Sequence, residues 1–444
     1  MNEHMISPLD GRYWPETRSL SPYFSDFALN KYRLKVEIDY FFELVKATGL
    51  QPIESDKEKL VRNLENLTQE NYFRIKKIEE TTKHDIKAIE MFLREEFEIL
   101  GLSAYKEFIH LGLTSQDVNN TATPLMLRDF LQDRYYSEIE GIIKGLNAFY
   151  SAHKTIPMLA HTHGQPAVTT SMGKELKVFS ERLRGQVKLL KSIPINAKFG
   201  GAVGNLSALN YVFPEVDWVS FSERFINQYG LKRTKWTTQI EPYDNLCGIF
   251  DNIRRINNIL LDFCRDMWQY ISMEYFSQKF VSGEVGSSTM PQKINPINFE
   301  NAEGNLGIAN AILSHFSNKL QISRLQRDLS DSTVLRNIGV PLAHTILAIA
   351  NIKKGFYKVS INLPKIRSDI ENNWCALMEP VQLFLRKEGY EDAYLMIKEK
   401  SRGGKINSRK EYSNMVKKLD IHDTHKAFLL NLTPSIYCFK KERT

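Results

Sequence analysis

The stretch IFDNIRRINNILLDFCRDMWQYISMEYFSQKFVS, residues 249–282, decides the fold. It holds no glycine and no proline, and Ile253, Ile256, Leu260, Phe263, Met267 and Ile271 recur at spacings of three and four. That period places the six on one stripe of an α-helix. At 1.5 Å per residue the helix is roughly 50 Å long.

Working outward, residues 124–156 open on Pro124, a residue suited to a first helical turn, with Leu127, Leu131, Tyr135, Ile139, Ile142 and Leu146 on one side. Residues 166–192 and 341–360 read as two further helices, and 30–48 and 57–97 as the helical part of the N-terminal region. Period-two alternation is sparse. The expected fold is all-α, a central long-helix bundle over 110–355 flanked by smaller helical domains at 1–109 and 356–444.

The 444 residues are 42% hydrophobic and 25% charged, the balance of a folded chain rather than a disordered one. The start, MNEHMISPLDGRY, lacks a basic-then-apolar leader, and no apolar run is expected to cross a bilayer. Cys247, Cys264, Cys375 and Cys438 are widely spaced, as buried thiols of a reducing compartment would be. A cytoplasmic protein without a membrane partner is the simplest expectation. The net charge of +7 is scattered. The densest basic stretch, 398–418, is interrupted by Glu399 and Glu411 and reads as a solvated face, so no nucleic-acid partner is expected. Mild positive charge also suits a small-molecule substrate bearing several negative groups.

Between the helices lie loops rich in donors and titratable groups: SPLDGRY (7–13), TTKHD (81–85), LTSQDVNN (113–120), THGQP (162–166), GGAVGN (200–205), TTQIEPYD (237–244), GEVGSSTMPQKINP (283–296) and RLQRDLSDSTVLRN (324–337). Loops on rigid helices are where sites are usually built. No phosphate-binding GxxxxGK[ST], no HExxH and no GxSxG occurs. GGAVG has neither the dinucleotide spacing nor a preceding strand. His161 and His163 have no third ligand near them, so no metal is expected.

Acid–base chemistry without a cofactor remains. His163, before Gly164 and Pro166, reads either as a hydrogen bonder at a helix start or as a proton donor at neutral pH. Ser287 and Ser288 read as helix caps or as part of an anion cradle with Lys293, Asn295 and the loop amides.

GSSTMPQKINPINFEN (286–301) resembles the signature of the fumarase/aspartase superfamily, and THGQP is shared across much of it. SPLDGRY, TTKHD, TTQIEP and RDLSDSTVLRN resemble the adenylosuccinate lyase family, over nearly the whole chain. Argininosuccinate lyases also use a Met-Pro-Gln-Lys loop, so the flanking motifs carry the distinction. Lys83 stands where some close relatives carry asparagine, and His161 where many carry arginine.

The resemblance implies cofactor-free elimination of fumarate from adenylosuccinate, and from the succinyl-carboxamide ribotide of purine synthesis. It makes Ser287 the base and His163 the acid, with Gly283 and Gly286 as loop hinges. Ser288, Lys293, the backbone of Ile294, Asn295, Thr114 and Ser115 hold the succinyl carboxylates. Gln239 and Asn301 meet the substrate's polar groups. Arg12, Tyr13, Lys83, His84, Asp85, Arg327, Ser332, Thr333, Val334, Leu335 and Arg336 surround the nucleotide, the arginines on phosphate. Glu300 either orients His163 or caps a helix. Other fumarate-releasing lyases and a silent scaffold on the same fold remain the alternatives.

Loops at opposite ends of one long helix cannot touch one nucleotide-sized substrate. The residues therefore point to sites shared between chains of a symmetric oligomer, and the resemblance implies a homotetramer.

Overall fold

The computed structural model describes residues 5–279, 289–290, 292–401 and 406–438. Along the chain the principal helices are α1 (Asp26–Thr48), α2 (Gln69–Thr82), α3 (Asp85–Ile99), α4 (Ser115–Phe130) and α5 (Tyr136–His153). A hairpin of β1 (Pro157–Thr162) and β2 (Gln165–Ser171) follows, then α6 (Met172–Ser192). Beyond these come α7 (Asp244–Ser272), α8 (Ile297–Lys319), the short α9 (Ser330–Leu335) and α10 (Gly339–Tyr357). The strands among the described residues form three two-stranded pairings.

The stripe read from 249–282 is a core stripe: Ile253, Ile256, Leu260, Phe263 and Met267 are all buried. The helix ends earlier than its composition suggests. Glu274 takes φ 61 just past the end, and the Tyr275 N–H bonds back to the Tyr270 carbonyl at 2.8 Å. That is the geometry in which glycine usually stops a helix. Here a glutamate adopts it, so no glycine announces the stop.

Pro124 does not open α4. The helix starts nine residues earlier, at Ser115, because Thr114 and Asp117 form a reciprocal capping box, with the Thr114 N–H on Asp117 Oδ2 at 2.8 Å. Pro124 is interior, and its missing N–H leaves the Asn120 carbonyl without its helical donor. The Lys198 N–H takes that carbonyl, at 3.4 Å.

The reading of 166–192 as one helix is likewise corrected. Residues 165–171 pair antiparallel with 157–162, and the turn between them is His163–Gly164, with φ of 53 and 71. Two consecutive positive φ values are what a two-residue hairpin turn demands. The span 57–97 is also broken, into Ser55–Asn63, α2 and α3. One stretch, Ser330–Tyr357, is long and apolar enough to cross a membrane by length and composition, contrary to the expectation, but 56% of its apolar window is buried inside the fold.

The chain divides into two compact units. The first comprises Met1–Ile139, Gly185–Leu261 and Ala302–Ala350. Its helix α1 is buried on two faces. Leu34, Ile38 and Phe41 pack with Ile75, Ile89, Phe92 and Phe97, while Val36 and Tyr40 pack with Val118, Ala122, Phe199, Phe221 and Phe225. Each such side chain contributes about 1.5–3 kcal/mol by burial, which fixes α1 between α3 and α4. The second unit comprises Glu140–Arg184, Asp262–Asn301 and Asn351–Thr444. Its C-terminal part has a core of Trp374, Leu377, Val381, Leu385, Tyr412 and Val416, and the hairpin is tied to it by Thr169 Oγ1 donating to the Pro434 carbonyl at 2.8 Å.

Candidate active site

The first unit holds a cavity of about 390 Å³, within the range of small-ligand sites. Four of the singled-out loops meet around it. TTKHD gives His84 and Asp85, LTSQDVNN gives Ser115, Gln116 and Asn119, TTQIEPYD gives Gln239, and RLQRDLSDSTVLRN gives Arg327, Ser332, Leu335 and Arg336. Phe24, Leu29 and Met126 supply apolar wall.

The TTKHD turn joins two helices. Lys83 ends α2 in the left-handed conformation, φ 54, and His84 caps α3, its Nδ1 accepting the Lys87 N–H at 3.2 Å. An accepting Nδ1 leaves the proton on Nε2, which lies 3.4 Å from Ser115 Oγ. Asp85 Oδ2 accepts from Arg33 Nη2 at 2.7 Å and Arg336 Nη2 at 3.3 Å. Burial pushes the Asp85 carboxyl up, but the Arg33 guanidinium, the Ile86 N–H and Arg336 outweigh it and hold the pKa below the usual carboxylate range. Asp85 is a carboxylate that aims arginines.

Arg327 is aimed too. Its Nη1 donates to Asp331 Oδ2 at 3.0 Å and its Nη2 to Ser332 Oγ at 3.1 Å. With Arg33 and Arg336 it gives the cavity three guanidiniums, graded from buried (Arg33, 5% exposed) through Arg327 (20%) to exposed (Arg336, 61%). A phosphate or carboxylate is the ligand such a set accommodates.

Asp117 organises the loop that holds Gln239. Besides capping α4, its Oδ1 accepts the Gly200 N–H at 2.8 Å and the Gly201 N–H at 3.2 Å, and pairs with Lys198 Nζ at 2.7 Å. Lys198 Nζ also donates to the Gly201 carbonyl at 2.6 Å. Gln239 is placed by donating to the Ala202 carbonyl at 2.9 Å. Gly204, at φ 83, is glycine of necessity, since a Cβ would meet the Thr237 and Thr238 carbonyls.

Other expected residues of this unit do not line the cavity. Arg12 is exposed, its guanidinium 5.9 Å from the Tyr13 ring. It belongs to the SPLDGRYW turn, whose Ser7, Leu9, Asp10 and Trp14 line a second cavity, of about 520 Å³, sharing Phe24, Ser25 and Arg336 with the first. Lys83 and Thr114 are caps, and Thr333 and Val334 lie on α9 outside the lining.

Arg33, Gln116 and Asn119 line the cavity and were not singled out from the sequence. Gln116 and Asn119 stand inside the quoted LTSQDVNN. Arg33 gave no signal, because it stands in the middle of a helix, outside every quoted loop; Asn30, Arg33 and Glu37 repeat at helical spacing and all three are buried.

In the second unit His163 is exposed at the hairpin tip, with His161 two residues before it. The expectation that His163 starts a helix is replaced by a two-residue turn. Lys293 is exposed and its N–H bonds to the Met290 carbonyl at 3.0 Å, while the Ile294 carbonyl accepts from Gln278 Nε2 at 2.7 Å. Asn295 and Asn301 are half-buried. Glu300 is in the first turn of α8, and its Oε1 accepts from Trp268 Nε1 at 3.1 Å. Ser287 and Ser288, with Gly283 and Gly286, lie outside the described residues.

Comparisons with known proteins bear on this arrangement. Residues 16–311 match the model of a family described as lyase, and residues 323–438 one described as adenylosuccinate lyase C-terminal. The adenylosuccinate lyase of Dictyostelium discoideum is 49% identical over 97% of this chain and 96% of its own. That of Escherichia coli (strain K12) is 40% identical over the same shares. Among solved structures, a fumarate lyase from Mesorhizobium sp. BNC1 superposes with a TM-score of 0.73 at 17% identity, over 95% of both chains. A 3-carboxy-cis,cis-muconate lactonizing enzyme from Pseudomonas putida gives 0.74 at 19%, over 95% of this chain and 93% of its own. These two show the fold, all-α and fumarase/aspartase-like. The sequence matches, long and nearly complete, go further: the chain belongs to the adenylosuccinate lyase family.

Proposed function

We propose that the chain eliminates fumarate from adenylosuccinate to give AMP, and from the succinylaminoimidazole carboxamide ribotide of purine synthesis to give the free carboxamide. The observation that carries this reading is the convergence of four separate motifs on one nucleotide-sized cavity with three guanidiniums. Arg33, Arg327 and Arg336 face the phosphate, with His84, Asp85, Ser332 and Leu335 around the nucleotide. Arg12, Tyr13, Lys83, Thr333 and Val334, which lie outside the lining of this cavity in the single chain, are assigned to the nucleotide by the resemblance alone, and Gln239 and Asn301 take polar groups of the substrate.

At the reacting end Ser287 removes a proton from the succinyl Cβ. The electron pair left there forms the double bond of fumarate as the C–N bond breaks, and His163 gives its proton to the departing nitrogen. The carbanion character builds beside a carboxylate, so Ser288, Lys293, the Ile294 backbone, Asn295, Thr114 and Ser115 serve best if they bind that charge more tightly than the ground state. The reaction so written needs no cofactor.

His163 is exposed in the single chain, whereas a general acid works in a water-poor site. Helix α7, 29 residues, is about 43 Å long, and the assigned residues fall on both sides of it in sequence. Both points support a homotetramer in which neighbouring chains complete each site. The four cysteines form no disulfide, which suits the cytoplasm.

The test is ultraviolet absorbance as purified protein meets adenylosuccinate, with and without chelator. Cleavage is expected in both. Activity on argininosuccinate alone, or a strict metal requirement, overturns the reading.

A further inference from the structure

Tyr243 belongs to a loop whose neighbour Gln239 lines the cavity, yet Tyr243 itself is buried, 2% exposed, and takes φ 65. A tyrosine in the left-handed region is strained, and such strain persists only where surroundings over-determine it. Here they do. The Tyr243 N–H donates to Glu241 Oε2, and Glu241 is itself held by Thr234 Oγ1 at 2.7 Å. The Glu241 N–H donates to Asn120 Oδ1 at 2.9 Å, which ties the loop to α4.

The hydroxyl is the informative group. It accepts from Asn120 Nδ2 at 2.7 Å and donates to Asp331 Oδ2 at 2.8 Å. That same oxygen, Oδ2, accepts from Arg327 Nη1 at 3.0 Å. Asp331 is 3% exposed and Asn120 1%. The relay therefore runs Asn120 to Tyr243 to Asp331 to Arg327, from the middle of α4 to a guanidinium on the cavity wall. Burial, reinforced by Asp331, pushes the Tyr243 phenol well above its ordinary pKa, so it stays a donor at any working pH.

We propose that Tyr243 is a positioning residue. Its hydroxyl fixes the Asp331 carboxylate, and through it the direction of Arg327, so that the loop sets how tightly the cavity holds the phosphate of its ligand. This rests on the assignment of Arg327 to phosphate. A buried carboxylate that loses one of its donors rotates toward those remaining, and a planar guanidinium bonded to it turns as well.

Tyr243→Phe removes one oxygen and keeps the ring. Calorimetric titration of wild type, Tyr243→Phe and Arg327→Ala with AMP and with adenosine decides the matter. Expected for Tyr243→Phe is a Kd for AMP weakened roughly tenfold, with adenosine binding within about twofold of wild type. The wild-type kcat should persist at saturating substrate while KM rises, a split that general loosening of the fold does not produce.

Equal weakening of AMP and adenosine, or unchanged AMP binding while Arg327→Ala loses it, overturns the proposal. Unchanged AMP binding in Arg327→Ala overturns the phosphate assignment beneath it. If Tyr243→Phe does not fold, Asn120→Ala, which removes the donor that holds the Tyr243 hydroxyl, reads the same relay from its far end, with the same expectation and the same overturning results.

Discussion

Asp117 and Lys198 form an ion pair at 2.7 Å in which neither side chain is exposed at all. Two charges buried together hold only when their other hydrogen-bonding positions are filled. Asp117 also accepts the N–H groups of Thr114, Gly200 and Gly201, whereas Lys198 has the Gly201 carbonyl besides.

The pair should break unequally. Asp117→Ala strands a buried ammonium and three N–H groups and should cost about 3–5 kcal/mol. Lys198→Met leaves a carboxylate still held by three donors and should cost less. Urea unfolding of both variants measures this, and equal losses would show that the loop amides contribute little.

Lys83 has two readings that one substitution separates. At φ 54 a lysine side chain is strained, and asparagine tolerates the region better. Lys83→Asn should raise stability by about 0.5–1 kcal/mol. A higher Tm with KM unchanged makes the residue a helix terminus only. A raised KM shows that its ammonium meets the nucleotide.

His110 links stability to pH. Its Nδ1 lies 2.6 Å from Oε1 of Glu37, which is fully buried. Burial pushes the imidazole down, but the Glu37 carboxylate, with Glu90 and Asp117 beyond it, raises the pKa above the ordinary 6.5. A raised folded pKa means the contribution is complete below the unfolded pKa and fades as pH climbs through the folded one. Unfolding free energy should therefore fall as pH rises from about 6.5, and His110→Gln should flatten that part of the profile while lowering stability at its acidic end. A variant with the wild-type slope would assign the slope to another group.

Shared sites can be tested by mixing. Ser287→Ala and His163→Ala proteins should each be inactive while still binding substrate, because their groups act in the transition state. Partial dissociation and reassociation of the two should return a fraction of activity, some sites drawing an intact serine and an intact histidine from different chains. Hybrids demonstrated by mass that stay inactive would remove the shared-site model.

The long helices were legible because apolar period is a property of the residues themselves, as Ile253 to Met267 show. What was not legible depends on partners distant in sequence or on backbone angles. Pro124 looked like a helix start, because nothing near it revealed that Lys198, 74 residues on, would bond the carbonyl it leaves open. Pro166 after His163 and Gly164 looked like another, but Val168, Thr169 and Thr170 favour a strand and the preceding pair supplies a tight turn. Most of the cavity was visible as motifs, whereas Arg33 was hidden because it stands outside every polar loop, as a buried polar residue within α1.

A proline inside a helix is usually counted as damage. A proline ring also crowds the carbonyl four residues before it, here that of Asn120, and that carbonyl is the one the Lys198 backbone takes. The defect thus acts as a socket: a secondary-structure acceptor is released for tertiary use, one turn from where Asp117 grips Gly200 and Gly201. An alanine at 124 would heal the helix and close the socket, so a substitution that improves local propensity would loosen the 198–204 loop on which Gln239 rests.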